Sequence, residues 1–392
     1  AGYIKRVPLS SYRAQRRGGK GRSGMTTRDE DFVSQVFVAD THTPVLFFST
    51  RGMAYKTKVY RLPVGTPQAR GKALVNILPL AEGEKISVVM PMPEDESRWD
   101  EMYVMFATAS GYVRRNKLSD FANVMANGKI AMKLDEGDRL VAVLPCNEND
   151  DVLLAARGGK SIRFPVSEVR VFSGRTSMGV RGIKLEEGDR VVSMSILRHV
   201  DADTAERDAY LRFAAAKRRA LGEETEGEPA AGAPGELPPG VVTQISPERL
   251  IELEAQEEFI LTITENGYGK RTSAYEYRIT GRGGQGIANI EMSERNGPVV
   301  ASFPVAHNDQ IMLVTDGGQL IRCPVDDIRI AGRKTQGVVV FKVAEGERVV
   351  SVAVLAEEEN GQANGDAGGE GNGAEGIAGP DGEGGGTNGE VD

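Results

Sequence analysis

The chain has 392 residues, of which 40% are hydrophobic, and a formal net charge of −8. This length allows two or three ordinary domains or one array of repeats, and no apolar run of about 18 residues is present to span a membrane. Cys146 and Cys323 are far apart and the three histidines are scattered, which predicts a reduced protein without a Cys- or His-based metal centre. The chain shows no signal peptide and no initiator methionine, which predicts a fragment or a processed chain.

The charge is distributed unevenly along the chain. Residues 357–392 contain ten acidic residues and no basic residue, residues 201–258 carry −8, and the remainder therefore carries +10. A cationic body with anionic appendages is typical of proteins that bind a polyanion.

The first stretch with a distinct chemical character is a run of cations and glycines near the start of the chain. It comprises Gln15, Arg16, Arg17, Gly18, Gly19, Lys20 and Gly21, with Arg13 before it and Arg22 after it. Glycine lets the backbone approach a ligand closely, and Lys and Arg bind phosphate. The run predicts a cationic loop for a polyanion, or else a solvated basic loop without a ligand. It is not a nucleotide P-loop, because Gly21 stands where that motif needs Ser or Thr.

A pattern of roughly 50 residues recurs along the chain, which is the spacing of repeat architectures. An apolar run leads into a glycine turn such as Asn266-Gly267, and a return strand with cations follows. Most copies then contain a second turn such as Glu187-Gly188 and an alternating strand. The six copies start near Gly2, Val45, Tyr103, Val152, Phe259 and Ile311, the first without its opening strand. The pattern predicts an all-β fold with four-stranded blades in a propeller-like ring; a linear β-solenoid is the alternative.

Two segments depart from the repeats. Residues 201–258 predict an insertion between repeats 4 and 5, with one helix within Asp203 to Leu221 and another that begins after Ser246 and ends near Gln256. The Gly- and Pro-rich stretch between them has the composition of a flexible linker. Residues 357–392 predict a disordered acidic tail, so the repeat domain is expected to span residues 1–356.

The fifth repeat contains a glycine pattern that resembles a dinucleotide-binding motif. Gly281, Gly283 and Gly286 have the required spacing. The next residues, Ile287 to Ile290, predict a strand, whereas the motif must open a helix. The pattern therefore does not indicate a nucleotide site.

Cations recur on the return strands and in the loops that follow them. If the blades form a ring, these side chains would lie at intervals around its rim and meet the phosphates of a bent DNA duplex. The alternative is that they only keep a β protein soluble. The predicted rim residues are Arg13, Arg22, Lys56, Lys58, Arg70, Lys72, Arg114, Arg115, Lys129, Arg163, Arg175, Arg181, Lys270, Arg271, Arg282, Arg322, Arg333 and Lys334.

The segment from Gln15 to Gly21 resembles the gyrase A box, the signature of the C-terminal DNA-wrapping domain of DNA gyrase A proteins in the type IIA topoisomerases. The context from Tyr12 to Arg22, the segments Thr335 to Val338 and Gly179 to Ile183, and the six repeats are also similar to that family. The likeness covers nearly all of residues 1–200 and 259–356.

The resemblance implies a six-bladed β-pinwheel, in which neighbouring repeats exchange a strand. It implies a non-catalytic DNA-binding domain, in which the box and the rim cations contact double-stranded DNA and wrap it into a positive loop. The partners it implies are the rest of the gyrase A protein and the gyrase B protein, in an A2B2 heterotetramer that uses ATP and magnesium for negative supercoiling. The active-site tyrosine, the catalytic metal and the ATP site then lie outside this fragment, and the protein belongs in the bacterial cytoplasm, on the nucleoid.

Two other functions stay open at this point. A topoisomerase IV-type C-terminal domain would bend DNA without a chiral wrap, although in that family the box is usually degenerate or missing. A β-propeller that binds proteins is the alternative from a different functional class.

Overall fold

The apolar runs that open five of the repeats form strands that are buried almost throughout, such as Phe259–Thr264 and Pro44–Ser49. The structure is a computed structural model that describes residues 2–12, 22–23, 35–222 and 245–355. Residues 22–23 are described by their backbone. All of these residues belong to one compact unit, Ala1–Glu357. The predicted tail begins at its end, outside the described residues.

The strands within the described residues are short, and many contain only two residues. They are β1 (Tyr3–Ile4), β2 (Arg22–Ser23), β3 (Pro44–Ser49), β4 (Met53–Lys58), β5 (Lys72–Ala73), β6 (Ile86–Pro91), β7 (Tyr103–Thr108), β8 (Tyr112–Lys117), β9 (Lys129–Ile130), β10 (Leu140–Cys146), β11 (Asp150–Ala156), β12 (Lys160–Pro165), β13 (Val180–Arg181), β14 (Val191–Arg198), β15 (Phe259–Thr264), β16 (Tyr268–Ser273), β17 (Ile287–Ala288), β18 (Val299–Val305), β19 (Gln310–Thr315), β20 (Gln319–Pro324), β21 (Val338–Val339) and β22 (Val349–Leu355). Short 3-10 helices lie at Leu9–Ser11, Val59–Arg61, Leu74–Asn76, Glu96–Glu101, Leu118–Phe121, Val166–Glu168, Ala274–Glu276 and Val325–Asp327.

Five four-stranded antiparallel sheets share one strand order. Each contains the closing, opening and return strands of one repeat, followed by a two-residue strand from the next repeat. In the fourth repeat the order is β14-β11-β12-β17, and β17 belongs to repeat 5. We call these two-residue strands the exchanged strands. This arrangement confirms the predicted all-β blades and the strand exchange that the family resemblance implies.

The exchange also joins the last repeat to the first. Strand β2 pairs with β20, with Arg22 opposite Leu320 and Ser23 opposite Gln319. Strand β1 pairs with β5 of the second repeat. Because each repeat gives an exchanged strand to the repeat before it, the order of blades closes on itself. This closure is the topology of a ring and not that of a linear solenoid.

The hydrophobic core lies between neighbouring blades. Between repeats 2 and 3, Phe48 and Phe106 are fully buried with their rings 5.5 Å apart and nearly perpendicular, and Phe121 lies against both. An edge-to-face pair of this kind is favoured by the aromatic quadrupole. Similar apolar clusters lie between repeats 1 and 2, 3 and 4, and 5 and 6, so each blade is stabilised by packing against a neighbour.

Two α-helices lie between repeats 4 and 5, as the sequence predicts. Helix α1 (Thr204–Ala220) begins with a capping box in which the Asp203 side chain accepts a hydrogen bond from the Glu206 backbone N–H at 2.8 Å. Helix α2 (Pro247–Gln256) is capped by Ser246 and has proline at its first position. Tyr210 of α1 packs edge-to-face on Tyr275 of repeat 5. No helix within the described residues is long and apolar enough to cross a membrane.

Candidate nucleic-acid interface

The loop before each exchanged strand is built in the same way in repeats 2 to 6. We call these segments the exchange loops: 65–71, 122–128, 173–179, 280–286 and 332–337. Each one ends on a glycine with positive φ, directly before its exchanged strand. At Gly286 an added Cβ would lie 2.4 Å from the carbonyl oxygen of Ser161, the residue that pairs with Ile287. Glycine is therefore needed where the chain crosses to the preceding blade.

Hydrogen bonds connect three of the exchange loops to the exchanged strands of the preceding repeats. We call the row of exchange loops and exchanged strands the exchange-loop edge. Arg175 Nε donates to the carbonyl oxygen of Ile130 at 2.9 Å, in the exchanged strand of the preceding repeat. Arg282 Nη1 donates in the same way to Arg181 at 3.0 Å, and Arg333 Nη1 to Ala288 at 2.7 Å. The exchange loops of repeats 4, 5 and 6 therefore each contact the exchanged strand of the repeat before.

This edge carries exposed positive charge. Lys72, Arg181, Arg282 and Lys334 are exposed, and so is Lys58 at the end of its return strand. Of the predicted loop cations, those that are half-buried are Arg70, Lys129, Arg175 and Arg333. Cations spaced along one connected edge can bind successive phosphates without reading the base sequence.

The return-strand cations have a different location from the rim that the sequence predicts for them. Buried side chains account for most of this set: Arg114, Arg115, Arg163, Lys270 and Arg271. Lys56 and Arg322 are half-buried. The physical reason is that a return strand lies between an opening strand and an exchanged strand, and neighbouring blades cover both faces. Charged residues in the sequence of a return strand predict one exposed face. The sequence does not show that a neighbouring blade also covers the charged face.

The buried cations have hydrogen-bond partners inside the protein. Arg163 forms a salt bridge with Asp151 at 2.8 Å and also donates to the carbonyl oxygen of Ala274 in the next repeat at 2.9 Å. Arg271 Nε donates to the carbonyl oxygen of Ile328, again in the next repeat, at 2.6 Å. These side chains therefore connect blade to blade. Sequence reasoning missed this role, because the carbonyl partners lie about 60 to 110 residues away along the chain.

Burial changes the acid–base properties of two of these cations. Burial lowers the pKa of Lys270 to about 7. Burial, together with the nearby charges of Arg175 and Arg170, lowers the pKa of Arg114 to about 10. Burial therefore disfavours the charged form of both side chains, although exposed cations are also present on the edge.

The gyrase A box residues, Gln15 to Gly21, and Arg13 lie outside the described residues. The chain on either side of them contacts the last repeat. Arg322 Nη1 donates to the carbonyl oxygen of Tyr12 at 2.9 Å, and the backbone of Arg22 pairs with Leu320. Among the described residues, no group of three or more His, Cys, Asp or Glu side chains could hold a metal ion.

A closed ring of strand-exchanged β-blades defines the β-pinwheel class of proteins, and this one carries a cationic edge. The family model described as "DNA gyrase C-terminal domain, beta-propeller" matches residues 1–40, 43–91, 103–147, 150–198, 258–306 and 309–356, in six segments that correspond to the six repeats. The chain belongs to this family.

Curated relatives agree with this assignment. The chain is 54% identical to the DNA gyrase A protein of Granulibacter bethesdensis over 370 residues, with coverage of 93% of this chain and 39% of the relative. It is 52% identical to the DNA gyrase A protein of Rickettsia bellii, covering 91% of this chain and 38% of the relative. The corresponding protein of Escherichia coli is 39% identical, with coverage of 91% and 34%. The chain thus spans less than two fifths of the length of these relatives.

Two solved structures share the fold. A DNA gyrase A C-terminal domain superposes with a TM-score of 0.69 at 21% identity, covering 91% of this chain and 97% of that one. A DNA topoisomerase IV C-terminal domain gives a TM-score of 0.58 at 21% identity, covering 90% of each chain. At this identity the likeness supports the fold alone.

Proposed function

We propose that this domain binds duplex DNA along the exchange-loop edge and wraps it into a positive loop, as the DNA-wrapping domain of a DNA gyrase A protein. The observation that carries this proposal is the edge itself. The exchange loops of repeats 4, 5 and 6 are each hydrogen-bonded to the exchanged strand of the preceding repeat, and exposed cations recur in these loops and strands. A curved row of phosphate contacts can offset the cost of bending DNA, which is about 1–6 kcal/mol over 20–30 base pairs.

We assign direct phosphate contact to the exposed and half-buried cations of this edge and to the gyrase A box. Of the buried return-strand cations, Arg114 and Lys270 act through the exchange loops that they contact, and Arg163 and Arg271 connect neighbouring blades. In this proposal the wrapping domain spans residues 1–356, the helical segment 201–258 is an insertion between repeats 4 and 5, and residues 357–392 form an acidic appendage.

The activity of the whole enzyme follows as a wider proposal. The domain would deliver wrapped DNA to the cleavage gate of a heterotetramer of two gyrase A and two gyrase B proteins. ATP hydrolysis, with magnesium, would take place elsewhere in that complex, in the bacterial cytoplasm. Negative supercoiling then requires the handedness of the wrap supplied by this domain.

A DNA topology assay tests the function of the isolated domain. Relaxed plasmid is incubated with the chain and a nicking-closing enzyme, and the linking number is measured after the protein is removed. Captured positive writhe supports the proposal. DNA binding with bending but no writhe would instead indicate a topoisomerase IV-type domain, and no DNA binding would indicate a protein-binding propeller.

A further inference from the structure

Cations three residues after the hairpin glycine occur in every second repeat. Lys5, Arg114 and Lys270 hold this position in repeats 1, 3 and 5, after Gly2, Gly111 and Gly267. The equivalent residues of repeats 2, 4 and 6 are Tyr55, Ile162 and Ile321. An alignment of the six repeats shows the alternation, but not what the cations contact.

Each of these cations reaches the exchange loop of the next repeat and donates to its carbonyl oxygens. Lys270 Nζ donates to Gly332 and Arg333, both at 2.7 Å. Lys5 Nζ makes the same kind of contact with three carbonyl oxygens of loop 65–71, at 2.5–2.8 Å. Arg114 donates to the carbonyl oxygens of Gly174 and Ser177 in loop 173–179. The exchange loops of repeats 2, 4 and 6 are therefore held from the inside by a cation.

The exchange loops of repeats 3 and 5 meet uncharged side chains at this position, although Lys56, the residue after Tyr55, donates from Nζ to the carbonyl oxygen of Ala122 at the start of loop 122–128. An added Cβ on Gly284 would lie 3.6 Å from Ile162, and one on Gly128 would lie 2.6 Å from the ring of Tyr55. Blades therefore form with Ile or Tyr at this position. A fully buried ammonium is costly, and hydrogen bonds to carbonyl oxygens offset that cost only in part. Folding alone does not account for the cation in every second repeat.

The hydrogen bonds from these cations also determine which way the backbone N–H groups of the exchange loop point. In a trans peptide the N–H points opposite to the preceding C=O. Because the carbonyl oxygens of Arg333 and Thr335 face Lys270, the N–H groups of Lys334 and Gln336 point away from it. The N–H of Arg333, on the far side of the Gly332 carbonyl, donates to Glu276 Oε2 at 3.0 Å and is not part of this set. The exposed Lys334 side chain lies on the same loop. Backbone N–H groups that face outward from one loop beside a cation can bind an anion such as phosphate.

We propose that Lys5, Arg114 and Lys270 are positioning residues that turn the exchange loops of repeats 2, 4 and 6 into backbone phosphate-binding sites, so that DNA is held most firmly at every second blade. The inference rests on the proposed DNA contact of the exchange loops. It assigns no phosphate contact to the three cations themselves.

Lys270→Met in the full chain is the direct test. The first measurement is amide hydrogen exchange without DNA, where we expect faster exchange within 332–337 and no change within 280–286. The second is DNA affinity as a function of salt. We expect binding about tenfold weaker, the equivalent of one charge-assisted hydrogen bond. The slope of log affinity against log salt should be unchanged, because Lys270 neutralises no phosphate.

Three further variants serve as controls. Lys334→Ala should lower the salt slope by about 0.9, as expected for one lost phosphate contact. Ile162→Met, at the equivalent position of repeat 4, should change neither measurement. Lys270→Arg should keep both loop protection and affinity, since Arg114 does the same in repeat 3, and this variant separates the lost contact from a general folding defect.

Two results would overturn the inference. One is unchanged exchange within 332–337 in Lys270→Met, which would show that the lysine does not hold the loop. The other is faster amide exchange within 332–337 in Lys270→Met together with the DNA affinity of the unaltered chain. That result would show that ordering of this loop does not contribute to DNA binding. If the unaltered chain binds no DNA at any salt concentration, the proposed function fails, and the exchange measurement still reports whether Lys270 positions the loop.

Discussion

Arg322 donates a hydrogen bond from Nη1 to the carbonyl oxygen of Tyr12 at 2.9 Å, across a sequence separation of 310 residues. The same side chain donates from Nε to Gln310 in its own blade at 2.5 Å. Together with the pairing of β2 and β20, this contact closes the ring of blades. It also fixes one end of the segment that contains the gyrase A box.

We expect Arg322→Ala to weaken the ring closure. Loss of the charged hydrogen bond to Tyr12 should lower the free energy of unfolding by about 1–2 kcal/mol. It should also speed amide exchange in residues 3–12. Urea unfolding and hydrogen exchange measure the two effects, with the exposed Lys342→Ala as the control. Equal behaviour of the two variants would mean that the pairing of β2 alone closes the ring.

The strand exchange depends on glycine at the crossing point. Gly286→Ala places a Cβ 2.4 Å from the carbonyl oxygen of Ser161 at a φ of +77°. We expect a loss of at least about 1–2 kcal/mol, because both the backbone conformation and the pairing of β17 are disturbed. Gly281→Ala, where an added Cβ meets nothing within 4 Å, is the matched control. Thermal unfolding of the two variants gives the comparison, and equal melting temperatures would contradict the prediction.

Burial of Lys270 predicts a pH dependence of stability. Its pKa is lowered from 10.5 to about 7 by burial, with a smaller contribution in the same direction from the charge of Arg333, while the charges of Glu276 and Glu291 oppose the shift. Below about pH 7 the lysine is charged in both the folded and the unfolded state, so the full burial cost is present. Between about pH 7 and 10.5 only the unfolded state binds the proton, and stability rises with pH. The free energy of unfolding of the unaltered chain should therefore rise relative to Lys270→Met between pH 7 and 10, as measured by urea titration. A constant difference would mean that Lys270 keeps its ordinary pKa.

The acidic tail is expected to compete with DNA. Residues 357–392 contain ten acidic residues and no basic one, and tethering gives them a high effective concentration near the cationic edge. Deletion of this segment should tighten DNA binding most strongly at low salt, where screening is weak. Fluorescence anisotropy at two salt concentrations tests this. Equal affinity with and without the tail at low salt would leave it without a role in binding.

The gyrase A box gives a prediction for the whole enzyme. Replacement of Arg16, Arg17 and Lys20 by Ala should lower the log–log salt slope of DNA binding by about 2–3, at about 0.9 for each lost phosphate contact. In the heterotetramer proposed above, we expect loss of negative supercoiling with ATP-driven relaxation retained, because the proposal places the cleavage gate outside this domain. Supercoiling at the normal rate would mean that the box is not the element that completes the wrap.

Local sequence patterns predicted much of the fold. The run Val152 to Ala155 lies within β11, and Ser246 and Pro247 marked the start of α2. Apolar runs, glycine turns and helix caps act over a few residues, so the sequence shows them directly. The exchanged strands, such as Ile287–Ala288, have only two residues and no periodicity of their own. Their pairing with the preceding blade was implied by the family resemblance and not by the residue pattern.

The candidate site was predictable only in part. Arg282 and Lys334 are exposed on the edge, whereas Arg114 and Lys270 are fully buried, and both pairs look alike in the sequence. Whether a cation is exposed or buried depends on which neighbouring blade packs against its strand. That packing joins parts of the chain that are far apart in sequence. The inward cations of alternate repeats could have been found by alignment of the six copies, but their carbonyl partners could not.

The central claim is that the exposed cations of the exchange loops and exchanged strands, and not positive charge in general, wrap the DNA. Two variants with four alanines each compare these alternatives at equal net charge. One replaces Lys72, Arg181, Arg282 and Lys334 on the edge, and the other replaces the exposed Lys85, Arg190 and Arg348, at the end of the second turn of their repeats, and Arg98 in the 3-10 helix Glu96–Glu101. The measurement is the linking number captured on a relaxed plasmid with a nicking-closing enzyme. We predict positive writhe for the unaltered chain and the second variant, and none for the first. Equal writhe from both variants, or its loss from both, would contradict the account.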